Sequence, residues 1–154
     1  MKNNSGFTLM EMMVVIGIIG ILAAIVTPNL ISWRSNHQLN STAREFQAVL
    51  SDARYDAIKN NARVLVTLDS TAGTIQTSMI NRATGVQRSA TFECQPGISM
   101  SYDFGTASFR FNSRGLPILQ DGTFASGQIT FQNPKNRQLA VSLSSTGNTL
   151  IEAP

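Results

Sequence analysis

The sequence predicts an α+β chain: one long N-terminal helix packed on a head of short antiparallel strands. Three observations carry that expectation. A nearly unbroken apolar run, GFTLMEMMVVIGIIGILAAIVTP, extends from Gly6 to Pro28. An amphipathic stripe follows it at steps of three and four residues. From Ala62 onward the apolar period switches to two, the spacing of half-buried strands.

Residues 1–6, MKNNSG, are short and polar. The run after them carries one charge, Glu11, and then none until Arg34, which is long enough to cross a bilayer. A secretory signal places its small-residue cleavage site after the apolar core. Here the small pair Ser5-Gly6 stands before the core, so a retained membrane helix over residues 7–33 is expected. Lys2 ahead of the run, with a long polar part after it, sets the N-terminus in the cytoplasm. A carboxylate at the centre of a bilayer costs roughly 2.5–3.5 kcal/mol on insertion scales. Glu11 therefore needs either a partner or a place among lipid headgroups. Gly17, Gly20, Ala23 and Ala24 leave room for another helix to approach closely. Pro28 removes the amide that would bond to the Ala24 carbonyl, and a kink or a melted turn is expected there.

Beyond Pro28 the composition changes while the helical pattern continues. Leu39, Ala43, Phe46, Leu50, Ala53 and Ala57 form one stripe, with Arg44, Glu45, Gln47, Asp52, Arg54 and Lys59 opposite. One helix over 7–60 is expected, with Asn60-Asn61 as its stop. Its second part, residues 34–61, becomes the spine of a head formed by 62–154. Trp33 falls where an interfacial aromatic belongs, and His37, the only histidine, falls on the exposed neck.

The strands follow in order. Val64–Leu68 and Thr74–Ile80 form a hairpin across Thr71–Gly73. Val86–Phe92 follows a turn at Arg82–Gly85. Ile98–Phe104 follows the turn Gln95-Pro96-Gly97, and Ser108–Asn112 comes next. Gly115-Leu116-Pro117 breaks the pattern. Gln128–Gln132 and Gln138–Ser144 are joined by residues 133–137, and Thr149–Ile151 is a short edge strand after Gly147-Asn148.

Charged residues are only 14% of the chain and its net charge is +3 with signs interspersed, which is no nucleic-acid footprint by itself. The single cysteine, Cys94, excludes an internal disulfide framework and a multi-cysteine metal site. It reads as a small buried residue in a strand. One histidine on a helical neck gives no support to a Ser-His-Asp arrangement. There is no phosphate-binding G-x-x-x-x-G-K-[ST] and no G-x-G-x-x-G opening a helix. No enzyme activity and no cofactor are expected.

Gly6, Phe7, Thr8, Leu9 and Glu11, followed by the apolar run and Pro28, resemble the N-terminus of type IV pilins and type II secretion pseudopilins, the class III signal family. The resemblance implies that a prepilin peptidase cuts between Gly6 and Phe7 and methylates the new N-terminus at Phe7. It implies an inner-membrane protein with a periplasmic head, whose helix packs with those of other pilins in a filament. Glu11 would set register by meeting a neighbour's Phe7 amine. The cut also places an α-amine four residues before Glu11, at one-turn spacing, so pairing within a subunit has the same chemistry. Pro28 stands where pilins carry a bend or melted segment.

The second half resembles the GspH/FimT branch of minor pilins. The residues are Ala43-Arg44-Glu45, Ala53-Arg54, Ala57, Asn61-Ala62-Arg63-Val64, Phe111-Asn112-Ser113-Arg114-Gly115, Gln138–Val141 and Ser145-Thr146-Gly147. Some members of that branch take up DNA through an arginine-bearing stretch after the last glycine. Here that stretch reads Gly147-Asn148-Thr149-Leu150, leaving Lys135, Arg137, Arg110 and Arg114 as candidate phosphate contacts. A reading from another class is a single-pass anchored binding module, in which the helix is only a tether and Glu11 is indifferent.

Overall fold

Helix α1 (Leu9–Lys59) opens the chain in a computed structural model that describes residues 8–80 and 87–153, apart from the side chains of 26–29 and 80. Thr8 is its N-cap. The Thr8 hydroxyl accepts the Glu11 amide at 3.2 Å and the Thr8 carbonyl accepts the Met12 amide at 3.3 Å. The T-x-x-E spacing is that of a capping box, and it starts the helix two residues later than the expected 7. The other end is a Schellman motif. Asn61 adopts φ 46°, its amide donates to Ile58, and the Ala62 amide donates to the Ala57 carbonyl at 3.0 Å. Ala57 and Ala62, the positions whose apolar contact accompanies this motif, are both buried. The expected stop at Asn60-Asn61 is where the helix ends.

The chain divides into two compact units, one ending at Arg34 and the other comprising Ser35–Pro154. In the first, apolar side chains are exposed all round: Leu9 is 80% accessible, Met13 67% and Ile25 68%. Among the described residues no single helix meets both the length and the hydropathy for crossing a membrane. Leu9–Ile25 and Leu30–Lys59 meet them only together. The kink expected at Pro28 falls among residues 26–29, whose side chains lie outside the description.

The second unit is the head. Its strands are β1 (Val64–Asp69), β2 (Thr74–Ile80), β3 (Gln87–Glu93), β4 (Ser99–Tyr102), β5 (Ser108–Phe111), β6 (Pro117–Ile118), β7 (Gly127–Gln132), β8 (Gln138–Leu143) and β9 (Thr149–Glu152). They form two antiparallel sheets, β3-β2-β1-β5-β6 and β4-β7-β8-β9. The hairpin of β1 with β2 is in place, Val66 facing Thr77, and β5 returns to the other edge of β1. The α+β architecture is therefore as expected from the sequence.

Three details differ. Pro117 does not simply break the pattern: it starts the two-residue strand β6, paired with Phe111 on the sheet edge, where a missing amide is tolerated. The strand expected over Ile98–Phe104 is shorter, because Ile98 closes a turn onto Gln95 and Phe104 precedes Gly105 at φ 69°. Cys94 lies just past β3, half-buried rather than in a strand. The turn expected at Arg82–Gly85 lies outside the described residues.

The core sits between α1 and the two sheets. All six stripe residues, Leu39, Ala43, Phe46, Leu50, Ala53 and Ala57, are buried. Phe46 joins the layers, with its ring 5.3 Å from Phe131 of β7 and 6.3 Å from Phe92 of β3. Phe109 packs edge-on to Phe111 and stacks on Phe104, closing the core beneath β5.

Candidate functional site

Gly6 and Phe7 lie outside the described residues. Glu11 stands in the first turn of α1, exposed, where a carboxylate complements the positive end of the helix dipole. Its T-x-x-E partnership with Thr8 was legible as a local signal, and it gives Glu11 a capping position in addition to any contact with a neighbour. Around it Leu9, Met10, Met12 and Met13 are all exposed. Trp33 is also exposed, as is His37 on the neck.

The four candidate basic contacts do not converge. Arg110 points from β5 to the outer face of its sheet, opposite Leu65 and Ile118. Arg114 is exposed on the β5–β6 turn. Both lie at the end of the strands where β1 begins, since Phe111 pairs with Val64. Lys135 and Arg137 lie on the β7–β8 turn at the opposite end, where Asn133 reaches Asn36. The four residues form two separate pairs.

A convergence that the sequence did not reveal centres on Arg54. Its guanidinium donates through Nη1 to the Gly147 carbonyl and to Asn148 Oδ1, each at 3.0 Å, and through Nη2 to the Thr146 carbonyl at 3.1 Å. Two helical turns earlier Gln47 Nε2 donates to the Thr149 carbonyl at 3.0 Å. Together they fasten the β8–β9 turn and the start of β9 to the helix. The β5–β6 turn packs against the same point. Gly115 has φ 74°, and a Cβ there would meet Ile58 at 2.7 Å and Arg54 Nε at 3.0 Å. Gly147 has φ 83°, and a Cβ there would run into the Gly115 carbonyl. Glycine is required at both for conformation and for space. Ala53-Arg54, Asn112–Gly115 and Ser145–Gly147, three of the separate stretches that carried the family resemblance, thus meet at one place.

The turns share one construction. Asn112 Oδ1 accepts the amides of Arg114 and Leu116, and Asn133 Oδ1 accepts those of Lys135 and Arg137. The left-handed residue follows three positions later, as Gly115 and Asn136. Ser144 and Gly147 repeat the arrangement with a hydroxyl that accepts the Asn148 amide.

Chemistry is sparse. Among the described residues no group of three or more His, Cys, Asp or Glu stands ready to hold a metal. Burial pushes the Cys94 thiol up to about 11 from its ordinary 9.0, which leaves it protonated at neutral pH and a poor nucleophile. The Thr123 hydroxyl and amide hold the Asp121 carboxyl below its usual range, a feature of an exposed turn. A groove of about 550 Å³ runs between α1 and β3, floored by Val49, Ala53, Val64 and Met79 and rimmed by Asp52, Asp56 and Arg88.

Residues 1–27 match the prokaryotic N-terminal methylation motif, and residues 42–147 match the type II transport protein GspH. No curated protein sequence matches the chain. Among solved structures it is similar to the minor pseudopilin EpsH of the Vibrio cholerae type 2 secretion system, with a TM-score of 0.60 at 13% identity, covering 76% of this chain and 98% of that one. It is also similar to the type IV minor pilin FimU of Pseudomonas aeruginosa, with a TM-score of 0.58 at 18% identity, covering 79% and 96%. At these identities the likeness speaks for the fold, a pilin-like helix and β-rich head. The match over residues 42–147 spans well over half of the sequence, and on that ground the chain belongs to the GspH family of type II transport proteins.

Proposed function

We propose that this protein is a non-enzymatic minor pilin or pseudopilin subunit, cut after Gly6, methylated at Phe7, and assembled into a filament of a type II secretion system or type IV pilus. One observation carries the reading. A methylation motif leads directly into a helix whose apolar side chains are exposed on every side, ahead of a head whose own core is complete. Such a helix requires lipid before assembly and other helices after it. The chain then spans the inner membrane once over 7–33, with its N-terminus cytoplasmic, its spine at 34–61 and its head, 62–154, periplasmic. Prepilin peptidase and other pilins are its partners, Glu11 meets a neighbour's Phe7 amine, and Pro28 lets the helix bend.

Mass spectrometry of the mature protein tests the processing. The expected chain begins at Phe7 with one added methyl group, and an intact Met1 would favour a simple tether. Glu11→Ala is expected to insert and be processed while failing to enter filaments, and normal incorporation of that variant would remove the register role. A deletion scored for twitching, DNA uptake and exoprotein secretion assigns the system.

A further inference from the structure

The β7–β8 turn, Asn133 to Arg137, is held more firmly than an exposed loop needs to be. Asn133 is only 3% accessible. Its Oδ1 accepts the amides of Lys135 and Arg137 at 3.0 Å each, and its own amide donates to the Arg137 carbonyl. Its Nδ2 donates to Asn36 Oδ1 at 3.1 Å, which ties the turn to α1. Lys135 and Arg137 are both exposed. Asn36 follows Arg34 by two residues and Trp33 by three, where the apolar run ends. The tether therefore keeps two cations beside the segment of helix that emerges from the apolar run.

We propose that this turn is a contact for the phosphates of anionic lipid, which docks the head on the bilayer before assembly. The proposal rests on the membrane reading given above. Carboxylates also stand toward this end of the strands. Asp69 closes β1 and accepts the amides of Thr71 and Ala72, Glu93 closes β3, and Glu152 of β9, opposite Ala140 in the same sheet as the turn, accepts the Ser142 hydroxyl. Duplex DNA fits the turn less well. Arg110 and Arg114 sit at the far end of the strands, and two phosphate contacts are too few for more than weak, salt-sensitive binding. A bilayer surface asks only that cations lie near it, each strengthening the contact roughly fivefold.

The test uses the full-length chain reconstituted in phosphatidylcholine bilayers with and without phosphatidylglycerol. Trp33 is the only tryptophan, and its quenching by brominated acyl chains reads out membrane insertion by itself. Head contact is read from Gln138→Trp in a Trp33→Phe background, using a nitroxide on the lipid headgroup. Quenching at position 138 is expected with phosphatidylglycerol and lost without it. Arg137→Glu is expected to reduce the contact at least about fivefold, and Lys135→Glu with it further. Equal quenching in both bilayers, or indifference to the charge reversals while Trp33 is quenched, overturns this proposal alone. Absence of Trp33 quenching overturns the membrane reading and the proposal with it. Binding of duplex DNA to the detergent-solubilised chain that the same reversals abolish, without any lipid effect, assigns the turn to nucleic acid and also overturns the proposal.

Discussion

The two stretches of α1, residues 9–25 and 39–57, are built from similar apolar residues and meet opposite ends. Ile16, Ile18 and Ile21 are 68%, 53% and 66% accessible, whereas Leu39, Phe46 and Leu50 are fully buried. The difference lies in pattern rather than in hydrophobicity. In the second stretch apolar residues keep to one stripe, so two sheets suffice to cover them. In the first they surround the helix, and no described part of the chain covers them. The second stretch is thus specified by the head, and the first is not.

That contrast can be broken most directly at Phe46, where α1 meets both sheets. Phe46→Ala is expected to cost about 3–5 kcal/mol of head stability, while Ile18→Ala leaves the head unchanged. Hydrogen exchange of the detergent-solubilised chain, read segment by segment, separates the two. A comparable loss from Ile18→Ala would mean that the apolar stretch helps to build the head. A smaller effect is expected at Arg54. Arg54→Ala strands three carbonyl contacts and should cost about 2 kcal/mol, with faster exchange confined to the β5–β6 and β8–β9 turns. Arg54→Lys should recover only part of this, because an ammonium cannot reproduce the fork.

The smallest effect concerns Cys94. With its thiol near 11, alkylation of the native chain should climb steeply with pH and stay well below that of the unfolded chain, whose thiol titrates near 9.0. The sign for stability follows from the same shift. The folded state holds this proton more tightly, so the contribution is present below pH 9.0 and is lost as pH rises through about 11. Equal native and unfolded alkylation rates at pH 9 would show that burial does not protect the thiol.

The sequence disclosed what is local. The stripe from Leu39 to Ala57, the alternation of Val64–Leu68 and the Asn60-Asn61 stop all depend on neighbours within a turn or two. Pro117 misled because a two-residue edge strand leaves no period to count. The division into two sheets was hidden because β5 pairs with β1, and β4 with β7, across intervening strands. Arg54 reads in the sequence only as a polar-face residue and part of a resemblance, since its partners lie 92 to 94 residues away. The processing residues Gly6 and Phe7 rest on motif recognition, and they lie outside the described residues.

The two glycines beside Arg54 have a consequence for how this head varies. Gly115 and Gly147 come from different turns, yet a Cβ on Gly147 would run into the Gly115 carbonyl, and a Cβ on either would press on Arg54. They constrain one shared neighbour rather than two separate ones. Once either has acquired a methyl group and Arg54 has given way, a second methyl group should do little further harm, so the double variant should fall short of the sum of the singles. A library of this head would then record strong epistasis between two positions more than thirty residues apart that exchange no hydrogen bond through their side chains, because neither has one.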